Sequence, residues 1–286
     1  MQISDMQISD MRVSEMIVPL GKGVELEVRR IQHPDPQGPV LVFLHESLGS
    51  IALWRKFPEQ LARATGCDAL VYNRQGYGRS TDEILPRPYD YQEKEGAVWL
   101  PRLLDRLDIG KVVLIGHSDG ASIALIAAGA MGSRVQTLIT MAGHTYADHM
   151  TVAGIEEMTV RYRETDIRER LARYHGHRTD DLFNAWHGIW LDEGFHAAMD
   201  FSRWLAAIEC PAMIIQGKND EYGVPEQVTD IVAAIGTSAR EVFLEDTGHS
   251  PHLEKTDQLL ALVCHFLASE NVIKRGENVI KNRIND

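Results

Sequence analysis

The sequence has few of the features that mark several large classes of protein. Its 286 residues include only three cysteines, Cys67, Cys210 and Cys264, which lie far apart. Such an odd, scattered set cannot build a disulfide framework or a CxxC metal site. Basic residues are also scarce, since 29 Lys and Arg stand against 41 Asp and Glu, for a formal net charge of −12. Nucleic-acid binding normally needs a basic surface, so we expect no nucleic-acid partner.

Long apolar segments are missing as well. The longest, 123–131, is about half as long as a membrane-spanning helix must be. Asp5, Asp10 and Glu15 interrupt any secretory hydrophobic region at the start. We therefore expect no membrane association and a cytoplasmic protein. With 44% hydrophobic and 24% charged residues, the composition is typical of a soluble globular chain, and the length fits one large domain or one domain with an insertion.

The hydrophobic pattern predicts an α/β fold. Residues 16–20 and 24–31 alternate around a glycine-containing turn, which indicates a hairpin. Short apolar strands then alternate with helical segments, which is typical of βαβ units in a mostly parallel sheet with helices on both faces. The predicted strands are 40–44, 69–72, 111–115, 135–141, 212–216 and 241–244, and the predicted helices are 51–65, 91–107, 121–131, 226–235 and 253–268.

The strand pattern stops between about residues 143 and 205. This stretch predicts several helices rich in aromatic and charged residues, and we interpret it as an α-helical cap inserted into the sheet. The predicted core is therefore 16–142 together with 206–269, and the predicted cap is 143–205. Residues 1–15, which begin with MQISD twice, predict an N-terminal arm with little structure. Residues 270–286 predict a C-terminal extension.

The strongest chemical signal is Gly116-His117-Ser118-Asp119-Gly120, which joins a predicted strand to a predicted helix. This is the G-x-S-x-G pattern of a nucleophile held in a sharp strand–helix turn. Glycine at both ends leaves space around a strained serine. The helix that follows directs its first amides at an oxygen that becomes negative during the reaction. The pattern makes Ser118 the candidate nucleophile.

Three further motifs follow predicted strands. The segment HESLG at residues 45–49 ends one strand and can direct the amide of Ser47 towards Ser118, Asp220 follows another strand, and His249 follows the last. Since the carboxyl ends of parallel strands meet at one edge of a sheet, we expect these residues to lie close together. The order Ser118, Asp220, His249 along the chain is nucleophile, acid, base.

These motifs, with NRQGYGRS at residues 73–80, resemble the α/β-hydrolase superfamily, in the branch with a helical cap, over residues 16–268. The resemblance implies the α/β-hydrolase fold and a small-molecule substrate. It makes Ser118 the nucleophile, His249 the base and Asp220 the carboxylate that orients the base. It also assigns the backbone amides of Ser47 and Asp119 to an oxyanion hole. We expect no cofactor.

Two positions depart from the superfamily's pattern. Glu46 stands where the superfamily usually has glycine, which puts a carboxylate beside the oxyanion hole, somewhat as in dienelactone hydrolases. We expect Glu46 to point away and pair with Arg74 or Arg79. The alternative is that it faces the substrate pocket with a raised pKa. The other departure, NRQG at 73–76 in place of Asp-x-Arg-Gly, lies in a turn with an expected structural role.

Other interpretations of the same residues stay open. Glu221 could replace Asp220, and His117 could replace His249, although we expect neither. Serine in the turn argues against epoxide hydrolases and haloalkane dehalogenases, which need aspartate at that position. Asp119 cannot replace it, because it lies one residue away and would point in another direction.

The 12 histidines match no zinc-binding spacing, so no metal site is predicted. Trp186 and Trp190 are candidates for an apolar substrate pocket, and packing within the cap explains them equally well.

The resemblance favours a carboxylesterase that cleaves small to medium apolar carboxylic esters through an acyl-enzyme on Ser118. A C–C bond hydrolase that acts on the diketone products of meta-cleavage shares the same residues and stays open, as do thioester, lactone and perhydrolysis reactions. A non-catalytic ligand receptor on the same fold is the alternative outside the enzymes. Whether the chain forms a homodimer is also left open.

Overall fold

The computed structural model of the protein describes residues 11–273, and eight strands within that range form a single sheet. The strands are β1 (Arg12–Gly21), β2 (Val24–Gln32), β3 (Val40–Leu44), β4 (Ala69–Tyr72), β5 (Val112–His117), β6 (Val135–Met141), β7 (Ala212–Gly217) and β8 (Ala239–Leu244). They lie in the order β1-β2-β4-β3-β5-β6-β7-β8. The pairs β1–β2 and β2–β4 are antiparallel and all other neighbours are parallel. The predicted hairpin and parallel sheet are confirmed.

Helices cover both faces of this sheet. Those of the described residues are α1 (Phe57–Thr65), α2 (Tyr91–Lys94), α3 (Leu100–Arg106), α4 (Asp119–Met131), α5 (His149–Glu164), α6 (Ile167–His175), α7 (Thr179–Trp190), α8 (Glu193–Ala198), α9 (Ser202–Ala206), α10 (Glu226–Ile235), α11 (Pro251–Glu254) and α12 (Thr256–Ser269). Single 3-10 turns occupy Ile51–Trp54, Gly132–Arg134 and Gly176–Arg178. Two large hydrophobic clusters fill the layers on either side of the sheet, which is why the central strands are apolar on both faces.

The segment predicted as one helix over 91–107 is interrupted. Between α2 and α3 the chain makes a π-helical turn, Glu95–Trp99. Pro101 has no N–H for a bond to the fourth carbonyl before it, so the regular helix cannot run through this point. Within the turn, Gly96 approaches α4 so closely that a Cβ would lie 2.8 Å from the carbonyl oxygen of Ile123.

The boundaries predicted for the two ends of the chain are wrong in part. Residues 12–15 belong to β1, whose pairing with β2 reaches Gln32, and Glu15 forms an ion pair with Arg29. Their alternation of exposed and half-buried side chains fits this edge strand. At the other end, Val272 packs against the core and Ile273 is buried in it, so the core extends past residue 269. The rest of both predicted segments, 1–10 and 274–286, lies outside the described residues.

The helical insert, which we define as α5 to α8, separates β6 from β7 and has a hydrophobic cluster of its own. That cluster includes Ile155, Phe183, Trp186 and Trp190. The predicted end of the insert at residue 205 is wrong, because α9 already belongs to the core. Phe201 and Leu205 are buried against α4 and α10 rather than within the insert.

Two helical glycines allow a paired test of this packing. A Cβ on Gly129 of α4 would overlap the carbonyl oxygen of Trp204, whereas a Cβ on Gly188 of α7 would meet no atom within 4 Å. Alanine is favoured over glycine in a helix by about 0.5–1 kcal/mol. We therefore expect Gly188→Ala to raise the free energy of unfolding by about that amount.

Gly129→Ala should lower the free energy of unfolding by about 1–3 kcal/mol, because overlap with backbone outweighs helix propensity. Urea unfolding followed by circular dichroism measures both changes. Equal effects of the two substitutions would contradict the close approach of α9 to α4.

Candidate active site

The serine of the G-x-S-x-G motif occupies a strained turn between β5 and α4. Ser118 has φ 52° and ψ −123°, a left-handed conformation that costs a non-glycine residue about 1–3 kcal/mol. The turn is possible because its flanking residues lack a Cβ. One on Gly116 would overlap the carbonyl oxygen of Gly120, and one on Gly120 would overlap that of Leu44. The two glycines thus allow the backbone to present the Ser118 hydroxyl at the sheet edge.

Ser118, His249 and Asp220 form one continuous chain of hydrogen bonds. His249 Nε2 lies 2.9 Å from Ser118 Oγ, and His249 Nδ1 lies 2.8 Å from Asp220 Oδ1. Asp220 follows β7 and also accepts a bond from the amide of Tyr222 at 2.9 Å. Glu221, the sequence alternative, makes no such bond to His249. The carboxyl ends of β5, β7 and β8 therefore bring together three side chains that are up to 131 residues apart.

The charges of this chain favour a basic imidazole. Burial raises the pKa of Asp220, but the positive charge and hydrogen bond of His249 outweigh burial and lower it overall. Burial lowers the pKa of His249, and the Asp220 carboxylate reverses this, so that the net pKa lies above the ordinary value of histidine. When neutral, His249 can accept the proton of the Ser118 hydroxyl across their hydrogen bond.

The Ser118 hydroxyl opens into a cavity of about 320 Å³, which we call the Ser118 cavity. The loop after β3 lines it with residues 46–48, including Ser47. The helical insert lines it with residues of α5 and α7, and both predicted tryptophans, Trp186 and Trp190, are among them. His249 and Tyr222 close the opposite wall. Both tryptophans also belong to the buried hydrophobic cluster of the insert, so their role in a substrate pocket stays a prediction.

Asp119 points away from this cavity into a buried polar cluster. Its carboxylate accepts bonds from Arg74 at 2.5 Å, Tyr91 at 2.7 Å and Gln92 at 2.9 Å. Burial raises the pKa of Asp119, but Arg74 holds it below its ordinary value. As the first residue of α4, Asp119 has a backbone amide without an intrahelical acceptor. That amide is consequently free for another acceptor while the side chain anchors the turn.

The sequence analysis considered Arg74 only as a partner for Glu46 and missed its role in organising this site. Its guanidinium is 2% exposed, and besides Asp119 it donates to the carbonyl oxygens of His45 at 3.2 Å and Glu46 at 3.1 Å. Tyr77, from the same NRQGYGRS segment, donates to the carbonyl oxygen of Ser47 at 2.8 Å. This segment therefore holds the loop after β3 against the start of α4, in the structural role expected of it.

Glu46 is not paired as the sequence analysis predicted. Arg74 is taken by the buried Asp119, and Arg79 pairs with Glu27 at 2.7 Å. The Glu46 carboxylate instead lies over Gly49, where a Cβ would overlap it, and 3.5 Å from Nδ1 of His117.

The alternative expected for Glu46, a raised pKa in the cavity, is wrong in its direction. Glu46 does line the Ser118 cavity, with 27% of its side chain accessible. Burial raises its pKa, but the neighbouring histidines, His117 first among them, outweigh burial and lower it.

Two other histidines near the site, His45 and His144, have well-defined partners. His45 donates from Nδ1 to the Glu46 carbonyl oxygen at 2.7 Å and accepts the Arg74 amide at Nε2. Burial and the charge of Arg74 lower the pKa of His45 to about 3, so this ring is neutral. His144 lines the cavity, and its Nε2 lies 3.0 Å from the Tyr222 carbonyl oxygen.

Two further observations concern metal ligands and membrane-spanning helices among the described residues. Within residues 11–273, no three His, Cys, Asp or Glu side chains are grouped so that they could hold a metal ion. In the same range, no helix combines the length and apolar character that a membrane crossing requires.

Comparison with known proteins gives relatives with hydrolase names. The chain is 27% identical over 206 residues to the serine hydrolase BPHL of Homo sapiens, which covers 69% of this chain and 68% of that protein. It is also 27% identical over 252 residues to 2-hydroxy-6-oxononadienedioate/2-hydroxy-6-oxononatrienedioate hydrolase 2 of Pseudomonas putida, which covers 79% of this chain and 87% of that protein.

A solved structure shares the fold over most of the chain. The 2-hydroxy-6-oxo-6-phenylhexa-2,4-dienoate hydrolase of a Rhodococcus species, strain RHA1, superposes with a TM-score of 0.75 at 15% identity. The match covers 90% of this chain and 99% of that one. A family model described as the alpha/beta hydrolase fold matches residues 39–192, which is more than half of the chain. The family match and the shared fold lead to one conclusion: this chain belongs to the α/β-hydrolase family.

Proposed function

We propose that the protein is a serine hydrolase, and specifically a carboxylesterase that cleaves small to medium, uncharged, apolar esters. The observation that carries the proposal is the unbroken hydrogen-bond chain from Asp220 through His249 to Ser118, which ends in a cavity lined by Trp186 and Trp190. A non-catalytic receptor would have no use for a strained serine bonded to a basic imidazole.

Each residue of the hydrogen-bond chain from Asp220 through His249 to Ser118 has a role in the proposed reaction. Ser118 Oγ attacks the ester carbonyl carbon while His249 Nε2 takes the hydroxyl proton. The amides of Ser47 and Asp119 bind the oxygen that becomes negative. His249 then gives the proton to the alcohol oxygen as its bond to the carbonyl carbon breaks. The alcohol leaves, and the acyl group stays bonded to Ser118 as an acyl-enzyme. Water attacks the acyl-enzyme in the same way and releases the acid, while Asp220 stays ionised and orients His249.

The helical insert serves in this proposal as a cap that excludes water and sets substrate shape. Ile155 and Met158 of α5 line the Ser118 cavity together with the two tryptophans. Trp190 also donates from Nε1 to the hydroxyl of Tyr91 at 3.0 Å, and Tyr91 in turn donates to Asp119. A hydrogen-bond chain therefore joins the cap to the residue that follows the nucleophile.

The charges around the cavity favour an uncharged substrate. Two carboxylates, Glu46 and Glu221, line it against one cation, Arg161. Arg161 is exposed, and none of the ion pairs of the described residues includes it. The name of the Pseudomonas putida relative specifies a dienedioate, a dianion. Even with Glu46 paired to His117, a single exposed arginine beside Glu221 is a poor match for two negative charges.

C–C bond hydrolysis of a diketone is the second candidate. It is favoured by the names of the Pseudomonas putida relative and of the Rhodococcus structure. The same serine, histidine and oxyanion-binding amides would act on a ketone carbonyl, so the catalytic geometry supports both candidates and the cavity charges favour the ester.

Replacement of the nucleophile tests the proposed class of reaction. Ser118→Ala should lower turnover of p-nitrophenyl butyrate by about three orders of magnitude or more, because no covalent intermediate can form. It should also abolish labelling by a fluorophosphonate probe, while the melting temperature stays near that of the wild type.

Ser202→Ala, which changes an exposed serine at the start of α9, is the matched control and should keep both turnover and labelling. Turnover near that of the wild type in Ser118→Ala would overturn the proposed function.

The pH dependence of the rate tests the role of His249. Because Asp220 raises the pKa of His249, turnover should rise with pH through a value above that of an ordinary histidine and then level off. Asp220→Asn removes the charge that raises this pKa, so the acid limb should move to lower pH as the rate falls. His252→Asn should keep the limb, and kcat/KM measured from pH 5 to 9 reports all three profiles. An acid limb that stays at the same pH in Asp220→Asn would mean that a residue other than His249 is the base.

A pair of esters tests the charge preference of the cavity. A neutral p-nitrophenyl butyrate should have a kcat/KM at least ten times that of mono-p-nitrophenyl succinate. Each carboxylate at close range opposes the added charge by about 1 kcal/mol or more. Arg161→Gln should widen the ratio and Glu221→Gln should narrow it. Faster turnover of a dienedioate substrate than of either ester would favour C–C hydrolysis instead.

A further inference from the structure

Two groups that line the Ser118 cavity, Glu46 and His117, have no step in the reaction described above. His117, which precedes the nucleophile, is turned away from Ser118, and its Nε2 lies 2.8 Å from the backbone carbonyl oxygen of His249. Its Nδ1 lies 3.5 Å from Oε2 of Glu46. The His117 side chain is only 2% exposed, so water cannot easily replace either partner. A second carboxylate–imidazole pair therefore contacts His249. It does so through the backbone carbonyl of His249, whereas Asp220 contacts the ring.

The positions of the protons in this pair follow from its partners. A carbonyl oxygen can only accept, so His117 Nε2 carries a proton and donates it to His249. If Nδ1 and the Glu46 carboxylate were both without a proton, two lone pairs would face each other in a poorly screened site. At 3.5 Å the two atoms are too far apart to share a proton, and Nδ1 has no hydrogen-bond partner among residues 11–273. A proton on Nδ1 would turn the contact into an ion pair, in which Glu46 and His117 together carry no net charge.

We propose that Glu46 and His117 are positioning residues. His117 holds the main chain of His249 in place, and its ion pair with Glu46 cancels the charge of that carboxylate beside the amide of Ser47. The inference rests on the proposed function, because it assigns His249 as the base and Ser47 to the oxyanion hole. It also explains how a carboxylate can occupy the superfamily's glycine position without opposing the negative oxygen of the intermediate.

Among residues 11–273, no other group near Glu46 can both pair with its carboxylate and bind the main chain of His249. His45 is neutral, with both ring nitrogens bonded elsewhere. His252 packs against His117 with ring centroids 4.7 Å apart. Burial lowers its pKa well below the ordinary value, and its Nδ1 has no hydrogen-bond partner among residues 11–273. His117 is accordingly the group that reaches both Glu46 and His249.

The groups that face His249 set the expected pH effect. Asp220, Glu221 and Glu46 each raise its pKa, with Asp220 the largest of the three. The rings that contact it are those of His117, His144 and Tyr222. Loss of His117 alone would leave Glu46 charged and uncompensated near the base. The acid limb of the rate profile should then move to higher pH.

A double-mutant cycle tests the proposal. His117→Phe keeps a ring but loses the donor to His249 and the ion pair with Glu46, and should lower kcat about 30- to 100-fold with little change in KM. Glu46→Gln should lower kcat by less than ten-fold, because the amide carries no charge that needs compensation and His117 still donates to His249. The double variant should be at least five times more active than His117→Phe, since it no longer holds an uncompensated carboxylate.

The pH profiles provide a second readout that loss of packing would not produce. The acid limb should move to higher pH in His117→Phe and return to its original position in the double variant. Glu245→Gln, which removes a surface carboxylate bonded to Lys218, is the matched control and should leave the limb unchanged. If His117→Phe does not fold, His117→Gln replaces it, because a glutamine can still donate to His249 but cannot carry a positive charge beside Glu46.

Several outcomes would overturn the positioning role. These are kcat within two-fold of the wild type in His117→Phe, a double variant no more active than His117→Phe, or an acid limb that stays fixed throughout. Fluorophosphonate labelling of Ser118 in every variant separates this failure from failure of the proposed function. If labelling is retained and there is no rescue, only the pair is rejected. Labelling that survives in Ser118→Ala rejects the serine hydrolase itself.

Discussion

The buried guanidinium of Arg74 is the interaction on which the geometry of the site depends. It joins the carboxylate of Asp119 at the start of α4 to the carbonyl oxygens of His45 and Glu46 after β3. These two segments carry the amides of Ser47 and Asp119, which in the proposed reaction must face one oxygen at the same time. A charge buried this deeply is tolerated only when it is paired and hydrogen-bonded. Loss of either partner would leave the other charged in a dry interior, so the ion pair fixes the distance between the two loops.

A second layer of contacts extends this arrangement outwards to the helical insert. Tyr91 donates to Asp119 and accepts from Trp190, so a residue of α7 is joined through one hydroxyl to the turn that holds Ser118. Gln92, the next residue of α2, donates to the same carboxylate. The π-helical turn Glu95–Trp99 follows directly after α2 and lets Gly96 pack closely on α4. The segment from Tyr91 to Trp99 therefore contacts α4 both through hydrogen bonds and through close backbone packing.

Much of the fold and the core of the site could be predicted from sequence because their signals are local. Apolar runs such as Val40–Leu44 indicate buried strands wherever they occur, and the turn around Ser118 needs glycine at both ends for steric reasons within five residues. The hydrogen-bond or ion-pair partner of a side chain is harder to predict, because side chains that are distant in the sequence compete for it in the folded structure. Glu46 was expected beside Arg74, but Asp119 occupies that guanidinium, 45 residues away in the sequence. The end of the insert was misplaced for a similar reason, since only packing shows that Phe201 and Leu205 face α4.

The contact between Glu46 and Gly49 restricts the order in which this loop can change during evolution. Any side chain at position 49 would occupy the space of the Glu46 carboxylate. An ancestor with the superfamily's usual glycine at position 46 could acquire glutamate in this conformation only if position 49 was already glycine. Reversal does not free position 49 at once, because a Cβ there would also lie 2.9 Å from the Cβ of His45. Glycine at position 49 is therefore expected to outlast the glutamate among descendants of this chain.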